Sequence, residues 1–229
     1  RRLAACLPVH TFGHPCRLDR LGEICRRYHL PLIEDAAEGL GSTYQGRHVG
    51  TFGLMGIFSF NGNKIVTSGG GGVLVTGDEE LARRARHCIT TAKVPHPYEF
   101  IHDTLGYNYR LPNLNAGLAC AQLEQLGDFL RKKRELAEAY REFFQGLDIP
   151  FVSEPQGSCA NYWLNAICLP TEEARNVFLQ ATHAAGIKTR PVWRLMSNLE
   201  MYRDCCTDSL EHSRRLEGRL VNLPSSVPS

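Results

Sequence analysis

Residues 56–75 read G-I-F-S-F-N-G-N-K-I-V-T-S-G-G-G-G-V-L-V, and this stretch decides the fold of the surrounding chain. Its apolar runs, residues 57–60 and 73–75, have the β-branched and aromatic character of buried strands. The loop between them carries one lysine, Lys64, among asparagines and glycines. Because glycine lets a backbone approach a ligand closely, the loop is a candidate binding site.

Three interpretations of Lys64 compete. It can be a solvated lysine in a Gly-rich hairpin. A phosphate-binding P-loop is excluded, because that motif requires Ser or Thr after the lysine and Ile65 follows here. A partly desolvated lysine can also act as an amine nucleophile toward a carbonyl and form a Schiff base. That third interpretation needs a partner that tunes a cofactor ring, and Asp35, at the end of an apolar run, is a candidate.

Four segments together resemble the DegT/DnrJ/EryC1/StrS sugar aminotransferases. These segments are E-D-A-A-E-G-L-G-S (34–42), F-S-F-N-G-N-K-I-V-T-S-G-G-G-G (58–72), H-D-T-L-G-Y-N-Y-R-L-P-N-L-N-A (102–116) and T-R-P-V-W (189–193). The resemblance runs over nearly all of the chain and is greatest for the subgroup of LegC-like and perosamine-synthase-like nucleotide-sugar 4-aminotransferases.

The resemblance implies a fold and an activity. The fold is α/β, the pyridoxal-phosphate fold type I of aspartate aminotransferase, with a mixed, mostly parallel sheet between helices and a small α+β C-terminal domain. The activity is pyridoxal 5′-phosphate-dependent transfer of an amino group from L-glutamate to C4 of a nucleotide-linked 4-keto-6-deoxy sugar, in polysaccharide sugar biosynthesis. UDP-linked N-acetylated sugars are expected first and GDP-linked sugars second. The alternative is a non-catalytic interaction or regulatory module of the same fold.

The resemblance also assigns the cofactor site. Lys64 matches the Schiff-base lysine and Asp35 the carboxylate beside the pyridine nitrogen, although Asp35 can also simply cap the next turn. Glu38 lies near the cofactor ring, where many relatives have His or Gln. Ser59 matches the hydroxyl that binds the cofactor phosphate, although a buried, satisfied serine is the simpler interpretation. Asn108 matches an asparagine that reaches the phosphate bound by the neighbouring subunit, which implies a homodimer with shared active sites.

Three further residues are expected on the substrate side. Arg110 suits the substrate's diphosphate, because a guanidinium matches phosphate oxygens, and a structural salt bridge is an equal alternative. Arg190 and Trp193 are weaker candidates, since the tryptophan can simply pack the small domain. A metal site at His10, His14, His96 and His102 is not expected, because their spacing is irregular.

Composition sets outer limits on function. The 229 residues are 43% hydrophobic and 22% charged, as in ordinary globular proteins. A net charge of +2 gives no reason to expect nucleic acid or an anionic membrane as partner. No apolar run approaches the roughly 20 residues of a membrane span. The nine cysteines lack zinc-ligand spacing, which favours free thiols and a cytoplasmic protein.

The order of elements predicts three regions. Residues 1–112 form a large cofactor-binding domain that opens with a strand over 3–9, a helix to about His29 and a strand over 30–34. Residues 113–147 form one long connecting helix, capped by Asn113 and bent at Gly127. Residues 148–229 form a small domain with strands over 162–169 and 187–192 around a helix over 171–185. Because members of the family are usually longer, we expect the chain to be truncated at both ends.

Overall fold

A computed structural model describes residues 3–227 and has an α/β architecture. Six α-helices lie in the described residues: α1 (Leu18–Arg27), α2 (Glu79–Ile89), α3 (Asn113–Leu123), α4 (Leu126–Gln145), α5 (Glu172–Ala184) and α6 (Glu211–Glu217). The strands in the same range are β1 (Ile33–Asp35), β2 (Thr43–Tyr44), β3 (Arg47–His48), β4 (Met55–Ser59), β5 (Gly72–Val75), β6 (Lys93–Val94), β7 (Ile101–His102), β8 (Ser158–Cys159), β9 (Asn165–Cys168), β10 (Arg190–Pro191) and β11 (Leu220–Leu223).

The chain divides into two compact units. The first unit contains Arg1–Leu130 and Glu154–Asn161, and the second contains Arg131–Ser153 and Tyr162–Ser229. None of the helices among the described residues has the length and apolar character needed to cross a bilayer.

The main sheet of the first unit is mixed, in the order β1-β4-β5. Strand β1 runs parallel to β4, and β5 returns antiparallel to it. Gly56 in β4 is needed for a close approach, since a Cβ there would lie 2.0 Å from the carbonyl oxygen of Gly50. The two strands expected on either side of the lysine loop are therefore present and hydrogen-bonded to each other. The expected burial is wrong for β5, whose residues are mostly exposed.

The expected strand over residues 3–9 is only partly formed. Cys6 and Val9 make isolated parallel bridges with Leu32 and Asp35. The ladder is interrupted at Pro8, because proline has no N–H to donate to the neighbouring strand. The carbonyl of Pro8 still accepts a hydrogen bond from the N–H of Asp35 at 2.9 Å, so this segment holds the outer side of β1.

Helix α1 covers the sheet with its apolar face. Leu18 and Cys25 are buried with the sheet residues Leu32 and Phe58 in one cluster. Helix α2 begins after Asp78, whose carboxylate caps the helix by accepting the N–H of Leu81 at 3.0 Å.

The prediction of a single long helix over residues 113–147 is wrong. The chain forms α3 and α4, separated by a turn at Glu124 and Gln125. Gly127 lies inside α4, so it does not make the bend. Pro112, rather than Asn113, occupies the N-cap of α3, where the fixed φ of proline suits a helix start.

The second unit is a small antiparallel sheet with a helix. Its strand order is β10-β11-β9, and both pairings are antiparallel. Thr171 caps α5 by accepting the N–H of Ala174 at 3.1 Å. The core of this unit contains Phe144 from α4 with Ile167 and Val221 from the central strands.

Lys133 is a buried cation of the second unit. Its side chain is 3% exposed, and its ammonium donates hydrogen bonds to the carbonyl oxygens of Trp163 and Ser225. Burial lowers the pKa of Lys133 to about 8. The amine therefore links α4 to the chain that follows β11.

Candidate active site

Lys64 lies in the loop that joins β4 to β5. Helix α3 holds this loop from one side. Asn115 donates its side-chain amide to the carbonyl of Ser68 at 2.6 Å. The side-chain oxygen of Gln122 accepts the N–H of Thr67 at 3.2 Å. The glycine run therefore has a fixed path, and Lys64 is presented from an ordered loop.

The amine of Lys64 lies next to a carboxylate. Its Nζ is 3.8 Å from Oε1 of Glu38, and the side chain is 13% exposed. Burial lowers the pKa of Lys64, while the charges of Glu38 and Asp35 oppose that shift. The lysine is thus closer to its neutral, nucleophilic form than an exposed lysine would be.

Glu38 is held on both of its oxygens. Oε2 accepts the backbone N–H of Phe12 at 2.7 Å, and Oε1 faces Lys64. Burial raises the pKa of Glu38, the Phe12 hydrogen bond and the Lys64 charge oppose the rise, and Asp35 adds to it. The pKa values of Glu38 and Lys64 are therefore displaced toward each other.

Asp35 ends β1 and has a structural contact of its own. Its Oδ1 accepts the N–H of Ala37 at 3.1 Å, which is the turn contact that the simpler interpretation requires. The same carboxylate acts electrostatically on Lys64 and Glu38. Three titratable side chains therefore meet beyond the carboxyl ends of β1 and β4, where ligands of parallel sheets gather.

Ser59 is the last residue of β4 and is half-buried. Its hydroxyl oxygen accepts the N–H of Asn61 at 3.2 Å. Because the hydroxyl acts as an acceptor in this bond, its own hydrogen stays available for another acceptor. Ser59 lies at the same edge of the sheet as the lysine loop.

Asn108 and Arg110 lie in a different, exposed part of the first unit. The backbone of Asn108 forms a bridge with Thr90, just after α2. The rings of Tyr107 and Tyr109 stack on each other with centroids 5.0 Å apart. Beyond Arg110, the side chain of Leu111 reaches the glycine run at Gly71. The side chains of Asn108 and Arg110 are both exposed and therefore accessible to a partner or a substrate.

Arg190 and Trp193 belong to the second unit. Arg190 is an exposed residue of β10, paired with Asn222 of β11. Trp193 is 57% exposed and stacks on Trp163, with centroids 6.1 Å apart and an interplanar angle of 7°. The packing that the alternative interpretation expects for Trp193 is therefore present.

Sequence reasoning predicts a turn around Gly13 and Pro15 but missed the contacts by which this turn positions Glu38. Phe12 has a φ of 61°, which is unusual for a residue with a side chain. A Cβ at Gly13 would lie 1.7 Å from the side-chain oxygen of Asn161, so glycine is required there. Asn161 donates its amide to the carbonyls of Glu38 at 2.7 Å and Leu40 at 2.9 Å. The F-G pair was the only local signal, since Asn161 is distant in sequence.

A second missed feature is a buried pair behind the site. Glu34 and His10 are both fully buried, with His10 Nε2 3.2 Å from Glu34 Oε2. His10 Nδ1 accepts the N–H of Cys16 at 3.1 Å, so the ring holds the turn that contains Phe12. The irregularly spaced histidine at position 10 thus has a structural partner.

Comparisons with known proteins identify the family of the chain. The profile of the DegT/DnrJ/EryC1/StrS aminotransferase family matches residues 1–228. The chain is 37% identical over 223 residues to a GDP-perosamine synthase of Escherichia coli O157:H7, covering 96% of this chain and 60% of that protein. It is 38% identical over 191 residues to EpsN of Bacillus subtilis strain 168, named a putative pyridoxal phosphate-dependent aminotransferase, covering 83% of this chain and 49% of that protein.

A solved structure gives the same result for the fold. The aminotransferase TlmJ of Streptoalloteichus hindustanus superimposes with a TM-score of 0.91 at 28% identity, over 97% of this chain and 60% of that one. The chain therefore spans half to three-fifths of the length of these proteins.

The described residues fit pyridoxal 5′-phosphate, the cofactor of this family. The aldehyde of the cofactor requires an amine that is accessible and easily deprotonated, and Lys64 has a partly desolvated amine. The pyridine nitrogen requires an anion, and Asp35 supplies a carboxylate near that amine. The phosphate requires donors, which the Ser59 hydroxyl provides at the same edge of the sheet.

Proposed function

The chain belongs to the DegT/DnrJ/EryC1/StrS aminotransferase family, and from this premise we propose that the whole protein aminates C4 of a nucleotide-linked 4-keto-6-deoxy sugar. The observation that carries the proposal is the half-buried cluster of Lys64, Glu38 and Asp35 at the end of β1 and β4. A solvated lysine in a hairpin would have neither the burial nor the flanking carboxylates.

Lys64 has two roles in this proposal. Its amine would hold the cofactor, and as a free base it would move a proton between the carbon atoms of the reacting centre. When bound, the cofactor supplies the electron sink that stabilises negative charge on the amino-donor carbon. Burial favours the neutral amine that both roles require.

Asp35 and Ser59 orient the cofactor. The carboxylate of Asp35 holds a proton on the pyridine nitrogen, because an adjacent anion favours the protonated cation. The hydroxyl of Ser59 binds the phosphate end. The backbone around Asp35 is fixed by hydrogen bonds to Pro8 and His10 at 2.9 and 3.1 Å, so the carboxylate cannot shift easily.

The substrates proposed are L-glutamate as amino donor and a UDP- or GDP-linked keto sugar as acceptor. The name of the E. coli relative gives the GDP-linked sugars more weight than the sequence alone did. Arg110 and Arg190 are the cations proposed to contact substrate anions, and the exposed side chain of Trp193 is proposed as a wall for the sugar or base. All three side chains are exposed.

We propose a homodimer in which Asn108 completes the partner's phosphate site. Asn108 lies in a segment rich in exposed apolar side chains: Tyr98, Phe100, Leu105, Tyr109 and Leu114 are each at least 72% exposed. Exposed apolar side chains in such number are typical of an interaction surface. The occupant that we propose is a second copy of this chain, whose phosphate site Asn108 would complete.

Mixing two inactive variants tests the shared site. Homodimers of Lys64→Ala and of Asn108→Ala are both expected to lose activity. In a mixed dimer one site keeps both residues, so mixing under exchange conditions should restore up to a quarter of the parent activity, from about half of the dimers with one intact site each. No recovery in confirmed mixed dimers would show that Asn108 does not act in trans.

We also place the reaction in the cytoplasm. All nine cysteines are free thiols, as expected in a reducing compartment.

Product analysis tests the reaction itself. The complete protein is incubated with cofactor, L-glutamate and 4-keto-6-deoxy sugars linked to UDP or GDP, and products are measured by mass spectrometry. Replacing the carbonyl oxygen by an amino group gives an expected mass change of about +1 Da, and 15N-glutamate adds about one more. No 15N incorporation with either nucleotide class would contradict the proposal.

A further inference from the structure

Lys64 and Glu38 are in contact, and the amino transfer proposed above gives Glu38 no role. The Nζ–Oε1 distance of 3.8 Å is an ion-pair distance, about 1 Å longer than a direct hydrogen bond. Both side chains are largely buried, at 13% and 16% exposed. A buried acid and a buried amine that face each other can exchange a proton.

We propose that Glu38 is the proton acceptor of Lys64: its carboxylate takes a proton from the Lys64 ammonium and returns it later in the cycle. The N–H bond of the ammonium breaks, an O–H bond forms on Oε1, and the pair remains neutral overall. The inference rests on the proposed function, because a neutral lysine amine is what the donor carbon needs as its base.

Burial of the site reduces the pKa difference that opposes this transfer. An exposed glutamate and an exposed lysine differ by about 6 pKa units, so the proton stays on lysine. Here burial raises the pKa of Glu38 and lowers the pKa of Lys64. Asp35 faces the pair as a second carboxylate and further raises the pKa of Glu38. The difference between the pKa values of Glu38 and Lys64 is therefore reduced by a change in each of them.

The backbone of the turn fixes which oxygen reacts. Oε2 is occupied by the N–H of Phe12 at 2.7 Å, which leaves Oε1 toward the lysine. Two hydrogen bonds fix the position of this turn. The hydroxyl of Ser42 donates to the carbonyl of Gly13 at 2.7 Å, and His10 Nδ1 accepts the N–H of Cys16. Glu38 is thus a positioned acceptor, with Oε2 anchored by Phe12 and Oε1 directed at Lys64.

The test compares the complete parent protein with Glu38→Gln and Glu38→Asp. Glu135→Gln is the control, because it removes an exposed carboxylate paired with Arg131. The first measurement needs no cofactor: the acetylation rate of Lys64 against pH, by peptide mass spectrometry, with exposed Lys188 as internal reference. The second is the single-turnover rate of the half-reaction with L-glutamate.

The two measurements should move in opposite directions in Glu38→Gln. Loss of the carboxylate should lower the half-point of the Lys64 acetylation profile by about one pH unit. The same variant should lose its proton acceptor, so the half-reaction slows on the order of a hundredfold. Glu38→Asp should recover part of that rate, and Glu135→Gln should match the parent in both measurements.

Two results would overturn the inference. One is a Lys64 profile in Glu38→Gln that equals the parent profile, since the two groups would then not be coupled. The other is a shifted profile with a half-reaction at the parent rate, which is what a merely structural ion pair predicts. If the parent itself does not react with L-glutamate, the proposed function fails separately, and the acetylation profile decides the coupling.

Discussion

Replacing Glu34 by glutamine should destabilise the first unit more than any exposed change. The fully buried carboxylate accepts four hydrogen bonds. Oε1 accepts the N–H groups of Phe52 and Gly53 at 2.6 and 2.7 Å. Oε2 accepts the N–H of Gly50 at 2.7 Å and faces His10 Nε2 at 3.2 Å. A glutamine oxygen can keep one pair of these donors, but its NH2 group then faces the other pair.

The size of the effect follows from those contacts. Two buried donors lose a charged acceptor and meet a third donor instead, which costs about 3–5 kcal/mol. The opening of this region should therefore become on the order of a hundred- to several thousandfold more frequent. Hydrogen exchange of the amides of Gly50, Phe52 and Gly53 measures that opening directly. Peptides of the second unit are the internal control.

The destabilisation caused by Glu34→Gln should depend on pH in a definite direction. Burial acts to raise the pKa of Glu34, but the hydrogen bonds from His10, Gly53 and Gly50 outweigh it, so the pKa lies below its ordinary value. A lowered folded-state pKa contributes stability that is complete above the unfolded value of about 4.3 and is lost as pH falls through the folded value. The difference between parent and Glu34→Gln should hence be full at pH 7 and shrink below about pH 4.

A matched control separates this effect from a general loss of charge. Glu138→Gln removes an exposed carboxylate that pairs with Arg141, so it should change exchange rates little. If the exchange of the three amides in Glu34→Gln stayed within threefold of the parent at pH 7, the hydrogen-bond account of this loop would be refuted.

Two further changes test other parts of the structure. The pKa of Lys133 falls to about 8 on folding, so the unfolded chain holds its proton to higher pH, and the second unit should gain about 3 kcal/mol between pH 8 and pH 10.5. Urea unfolding followed by tryptophan fluorescence measures this gain, and Lys133→Met should not show it. If the free energy of unfolding rose equally with pH in the parent and in Lys133→Met, the lowered pKa of Lys133 would be contradicted. Asp35→Asn should still bind cofactor but turn over on the order of a hundredfold more slowly. Parent-like single-turnover rates would show that Asp35 is only a turn cap.

Elements with local signals could be predicted from the sequence. Helices α2 and α5 follow Asp78 and Thr171, whose side chains accept N–H groups three residues later. Strands β4 and β5 follow from the apolar runs around the lysine loop. In each case the residues that form the element also carry the signal, so no tertiary information was needed.

The break between α3 and α4 could not be predicted in this way. Glu124 and Gln125 are good helix formers, so their propensity favours a continuous helix. Helix α3 is instead tied to the lysine loop through Asn115 and Gln122, whose partners lie about 50 residues earlier. Tertiary contacts of this kind override local preference, and the amphipathic stripe does not reveal them.

The candidate site likewise has residues that the sequence marks and contacts that it does not. Lys64 and Asp35 stand in segments whose composition and resemblance mark them. The contacts that hold Glu38 are not marked, because Phe12 contributes only its backbone and Asn161 acts across 123 positions of sequence. Glu34 was expected only as the end of a strand, and its four donors come from loop backbone and one distant histidine.

The most direct measurement is to trap the cofactor on its lysine. The complete protein is incubated with pyridoxal 5′-phosphate, reduced with borohydride and digested, and the modified peptide is identified by mass spectrometry. We expect the cofactor on the peptide that contains Lys64, and no modification of that peptide in Lys64→Ala. Stable labelling of another lysine, or none at all under conditions where the protein is folded, would contradict it.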